Sequence, residues 1–140
     1  MSDYEARLLA NEKQNDEYLS IFKNELIEKG LSAKTIREHV SNVDLLLNHY
    51  LPGYEEDYQM ADGMNSLYGF FDFFIRKCMW STPAAVKKLG ASLKKFYKCM
   101  MEHGLVEKED FDDFAKRLKE ELPYFAEQCD DYNSDFGDYF

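Results

Sequence analysis

Five lysines between residues 87 and 98 are the densest run of chemistry-bearing side chains: Lys87, Lys88, Lys94, Lys95 and Lys98. Ammonium groups act as flexible point charges toward phosphate or carboxylate. At 100° per residue, Lys87, Lys94 and Lys98 fall within an arc of about 40°, and the run covers about 16 Å of helix. Lys88 and Lys95 lie beside them. No arginine stands between Lys77 and Arg117, so bidentate reading of guanine from this face is ruled out. Any contact with duplex DNA would be largely independent of base sequence. The same face would suit an acidic protein, the chain's own acidic C-terminus, or water alone.

Other groups offer less. Cys99 and His103 are spaced i, i+4 and could face one ion, but no third and fourth ligands follow at zinc spacing. Asp131, Asn133 and Asp135 match the alternating oxygens that open a calcium loop. The glycine such a loop needs at its sixth position is Phe136, and its twelfth position falls beyond residue 140. Asp112/Asp113 and Glu120/Glu121 are paired carboxylates, yet acid–base work needs an enclosing pocket that separates their pKa values. His39 and His49 read as boundary or cap residues. No nucleophile elbow, phosphate-binding loop or metalloprotease motif occurs. No catalytic residue, cofactor or metal is expected, and the chain reads as a non-enzyme.

Charge is segregated along the 140 residues. Residues 1–75 hold 6 basic and 14 acidic side chains, residues 76–101 hold 7 basic and none acidic, and residues 102–140 hold 4 and 13. The formal net charge is −10. That field repels nucleic-acid backbones and anionic membranes everywhere except at the middle block. The odd set of Cys78, Cys99 and Cys129 and the lack of a secretory leader predict a reducing, cytoplasmic setting. Leu67 to Met79, the most apolar stretch, is broken by Asp72, Arg76 and Lys77, so no membrane span is expected.

The elements that carry these groups are helical throughout. Ser2-Asp-Tyr-Glu5 has capping-box spacing. The polar stretch Asn11–Asp16 leaves open whether that opening helix ends or runs on. Leu19, Phe22 and Leu26 mark one helical face, which Gly30 closes. Ser32 caps a second helix to about Leu51 with Ile36, Val40, Val43, Leu47 and Tyr50 inward, and Pro52-Gly53 stops it. A third helix is expected over Tyr58–Met79, with Met60, Met64, Leu67, Phe71, Phe74 and Cys78 as core rather than a cofactor box. Gly63 and Gly69 weaken its start. An acidic loop, Gly53 to Asp57, precedes it. Thr82-Pro83 starts a fourth helix that Gly104 ends. Its core face is Val86, Leu89, Leu93, Phe96, Tyr97 and Met100. A fifth begins near Glu109, and Pro123 ends or kinks it. Residues 123–140 form either an acidic, aromatic tail or a short docked helix that includes Phe125, Cys129, Tyr132 and Phe136, with Tyr139 and Phe140 beyond. That segment, Glu127 to Asp138, could cover the lysines in cis or in a homodimer. Residues 1–122 read as one helical domain.

The segment Phe22-Lys-Asn-Glu-Leu-Ile-Glu-Lys-Gly-Leu-Ser-Ala-Lys-Thr-Ile36 and its continuation to Tyr50 resemble the opening of the core-binding, SAM-like N-terminal domain of tyrosine recombinases (phage integrases). Gly30, Leu31, Ser32 and Thr35 match the family's helix junction, followed by Val43, Leu46, Leu47 and Leu51. Thr82-Pro83-Ala-Ala-Val86 and Leu89 to Tyr97 resemble its last long helix. The resemblance covers about residues 16–104. It implies an all-α orthogonal bundle that clamps one side of DNA, here with an additional C-terminal helix. The family's catalytic domain has no counterpart after Gly104, so no tyrosine inherits the nucleophile's role. The expected function is therefore a non-catalytic module with weak DNA association. The alternative is a protein-interaction or dimerisation domain.

Overall fold

The computed structural model describes residues 2–54, 58–78 and 81–137. Among these the regular elements are all helical, as the periodicity requires. Helix α1, Asp3–Glu28, starts where the Ser2 hydroxyl accepts the Glu5 N–H at 3.1 Å. It ends where Gly30 turns at φ 78° and Leu31 N–H returns to the Leu26 carbonyl. It runs unbroken through the polar stretch because Asn15 is an inward residue, only 2% exposed.

Helix α2, Ala33–Asp44, is capped by Ser32 and passes into a π-helical turn, Leu45–Tyr50, then a short helix α3, Leu51–Tyr54. The chain thus continues past Pro52 instead of stopping at Leu51. Leu51 N–H bonds the Leu46 carbonyl, five residues back. In that register the next donor, for the Leu47 carbonyl, would be residue 52, and proline has no N–H. The Asn15 side chain supplies it, with Nδ2 3.3 Å from Leu47 O. The same nitrogen lies 2.9 Å from Asn48 Oδ1 and 3.2 Å from the Tyr58 hydroxyl. A buried carbonyl that would otherwise cost about 1–3 kcal/mol is thereby satisfied.

The expected third helix is two elements. A 3₁₀ segment, Met60–Asn65, begins where Asp62 accepts the Gln59 N–H at 2.6 Å. The chain breaks at Ser66, and helix α4 spans Leu67–Lys77. The break follows from Tyr97, whose buried ring reaches over Gly63 and donates its hydroxyl to the Met60 carbonyl at 2.8 Å. Glu55, Glu56 and Asp57 of the acidic loop, and Met79 at the expected helix end, lie outside the described residues.

Helix α5, Pro83–Glu102, opens with Thr82 accepting the Ala85 N–H at 3.0 Å and closes at Gly104, φ 73°. Its expected core face is fully enclosed: Val86, Leu89, Leu93, Phe96, Tyr97 and Met100 are each 0% exposed. Helices α1 and α2 cover one flank of α5. Helix α6, Lys108–Gly137, covers the other and also packs on α4. Helix α6 does not end at Pro123. Proline deprives the Lys119 carbonyl of its donor, a defect of up to about 3 kcal/mol. The helix resumes because its last turns are held by the core: Phe125 stacks on Phe71 with centroids 4.5 Å apart, and Cys129 is 0% exposed. Tyr139 and Phe140 lie outside the described residues.

Candidate interaction face on α5

Lys87, Lys88, Lys94, Lys95 and Lys98 are all exposed, on the side of α5 opposite its core face. They do not behave as one uniform strip. Lys88 reaches toward α2, where its Nζ is 3.9 Å from Glu38 Oε2. Lys95 sits near His39 on the same flank. Burial first, then the charge of Lys95, hold the His39 imidazole below its ordinary pKa; Lys88 adds to this and Glu38 opposes it. Among the described residues, Lys87, Lys94 and Lys98 make no ion pair, and they form the ridge between two clefts.

The larger cleft, about 530 Å³, separates α5 from α6. Gly90 and Ala91 form its α5 side, with Lys87 and Lys94 above them. Ala115, Leu118, Leu122 and Ala126 form the α6 side, with Lys119 on its edge. Leu122 packs directly onto Gly90, where a Cβ would lie 2.8 Å from both of its methyls. The smaller cleft, about 290 Å³, lies between the end of α1 and α5, where Glu25 and Lys29 face Lys94, Lys95 and Lys98. Ala91, exposed beside the Leu122 side chain, thus leaves apolar surface open within a cationic frame.

Sequence reasoning missed a polar junction beneath the ridge. Ser92, 0% exposed, lies 2.7 Å from His39 Nδ1 and accepts the Asn42 amide at 3.0 Å. Its own proton goes to the Lys88 carbonyl at 2.9 Å. The hydroxyl thus ties two side chains of α2 to the backbone of α5. This Ser–His pair is a strut between α2 and α5. Its only sequence signal is a serine on the edge of an otherwise apolar arc, because its partners are 53 and 50 positions away.

The remaining candidates are not brought together. His103 Nδ1 donates to the Cys99 carbonyl at 2.9 Å. Burial, with Glu25 adding to it, pushes the Cys99 thiol up to about 12, far from a metal-binding thiolate. Among the described residues no three His, Cys, Asp or Glu side chains converge as metal ligands do. Asp112 and Asp113 pair with Lys108 at 2.6 Å and Arg117 at 3.1 Å on the exposed surface of α6. Asp131 lies along a groove with Asp72 and Arg76, while the side chains of Asp135 and Phe136 lie outside the described residues. The C-terminal segment does not lie over the lysines in cis as far as Asn133. There Asn133 donates to the Ser81 carbonyl at 3.0 Å, and Tyr132 sits 6.0 Å from the Arg76 guanidinium. Burial of Phe125 and Cys129 directs it to α4 and Ser81 instead.

No helix among the described residues is long and apolar enough to cross a membrane. Compared with family profiles, curated proteins and solved structures, the chain matches none.

Proposed function

We propose that this chain is a non-catalytic helical interaction module that receives an acidic protein segment on the lysine ridge of α5. The supporting observation is that Lys87, Lys94 and Lys98, exposed and without ion pairs among the described residues, stand between two clefts with apolar surface. A protein partner uses both parts of that surface, charge at the rim and apolar burial in the cleft. A duplex uses only the charge. The net charge of −10 repels both kinds of partner, and most strongly the more densely charged duplex.

Non-specific duplex DNA is the second reading. It is favoured by five exposed lysines over about 16 Å of helix and by the resemblance of Gly30-Leu31-Ser32, Thr35 and Thr82-Pro83 to the recombinase clamp. Titrating a labelled peptide of glutamates and leucines and a short duplex, each at about 50 and 200 mM salt, separates the two. Binding of the peptide but not the duplex, abolished by Lys87→Glu with Lys94→Glu, is the expected result. Duplex binding that collapses with salt and with the same substitutions would install the second reading.

A further inference from the structure

Resting on that reading, we infer that the acidic partner binds as an amphipathic helix laid along the α5–α6 cleft. The cleft floor is apolar: Ala91, Ala115 and the Leu122 side chain that lies over Gly90. An apolar floor takes the protruding apolar side chains of another element, and covering it removes that surface from water. The rim is cationic on both sides, with Lys87 and Lys94 on α5 and Lys119 on α6. A helix seated between these walls meets ammonium groups on both flanks, so its own flanks must be acidic.

Dimensions favour a helix over an extended strand. Lys87 and Lys94 are two turns apart, about 10.5 Å, which matches carboxylates one heptad apart on a partner helix. The α6 wall from Ala115 to Ala126 is about 16 Å long. That length takes apolar anchors at i, i+4 and i+7, the spacing used when a helix fills a groove. An extended strand would need a free sheet edge for its backbone donors and acceptors, and here both walls are helices, which offer no row of free backbone groups beyond the single Lys119 carbonyl opposite Pro123. A duplex has no apolar side chains to cover the floor.

The test uses a helical peptide of roughly 18 residues with leucines at i, i+4 and i+7 and glutamates on both flanks. Its control is an isomer of the same composition with the leucines dispersed. Each is titrated into the full chain by NMR at about 50 mM salt. The amphipathic peptide should bind at least about tenfold more tightly than the isomer, with shifts centred on Ala91, Ala115 and Leu122. Ala91→Phe, at an exposed position that leaves the core intact, should remove that advantage while the thermal melt stays unchanged. Equal affinity of the two peptides, both lost with Lys87→Glu and Lys94→Glu, would overturn the helix-in-cleft inference and leave the acidic-partner reading standing. Binding of neither peptide would overturn both. Concentration-dependent self-association that perturbs the same resonances would place a second copy in the cleft and overturn the assignment to a partner.

Discussion

Asn15 and Leu47, 32 residues apart, are joined by a hydrogen bond of 3.3 Å from the asparagine amide to a backbone carbonyl inside the π-helical turn. That contact links three otherwise separate features: a polar residue on the inner face of α1, a widened turn after α2, and a proline at position 52. Proline cannot supply the donor that the π register assigns to Leu47, and Asn15 does.

Asn15→Ala should therefore lower unfolding free energy by about 2 kcal/mol in urea denaturation, within the range for orphaning a buried acceptor. Pro52→Ala in that background restores an N–H at the position facing Leu47 and should recover part of the loss. Equal destabilisation with and without Pro52 would sink this account of the turn.

Gly63→Ala places a methyl group against the hydroxyl of Tyr97 and close to Leu46. The expected cost is about 2–3 kcal/mol from overpacking. Tyr97→Phe alone gives up the 2.8 Å bond to Met60, at about 1 kcal/mol. Combined, the two changes should cost less than their sum, because removing the hydroxyl makes room for the methyl. Thermal melts of the three variants decide this.

The junction at His39 predicts a pH dependence. Its imidazole is held below the ordinary value of 6.5, chiefly by burial and then by Lys95. The unfolded chain takes up the proton first as pH falls, so the contribution to stability is intact above about pH 6.5 and is lost as pH drops toward the folded-state pKa. Comparing unfolding free energies from pH 8 to pH 5 for the native chain and His39→Gln isolates the effect. The difference between them should shrink with falling pH, and Lys95→Gln should soften the native chain's decline.

Pro123→Ala returns a donor to the Lys119 carbonyl in the middle of α6. Stability should rise by about 1–3 kcal/mol, seen as a higher Tm, unless the flexibility gained by the unfolded chain offsets the new bond. A lower Tm would show that the helix is built around the proline ring rather than in spite of it.

The features legible in the sequence are local ones. Ser2, Ser32 and Thr82-Pro83 cap helices and Gly30 and Gly104 end them, because these signals act within four or five residues. The buried face of α5 is equally plain, since one helix repeating every 3.6 residues defines its own inside. The features that stay hidden depend on distant partners. Asn15 reads as surface because Leu47 and Tyr58 lie 32 and 43 positions away. The break at Ser66 depends on Tyr97, which bonds back 37 residues to Met60. Pro123 reads as an end or a kink, with no choice between them, because the stacking of Phe125 on Phe71 is not a local property. The lysines of α5 stand out by spacing alone, but the clefts beside them require α1 and α6 to be in place.

The seating of Phe125 on Phe71 has a consequence for biosynthesis. Phe71 leaves the ribosome before the ring that covers it has been translated, by a stretch of 54 residues. At roughly 5–20 residues per second this leaves α4 uncapped for about 3–11 seconds. During that window the nascent chain presents a greasy aromatic flank to anything nearby, and a holdase-type chaperone would find its best target there.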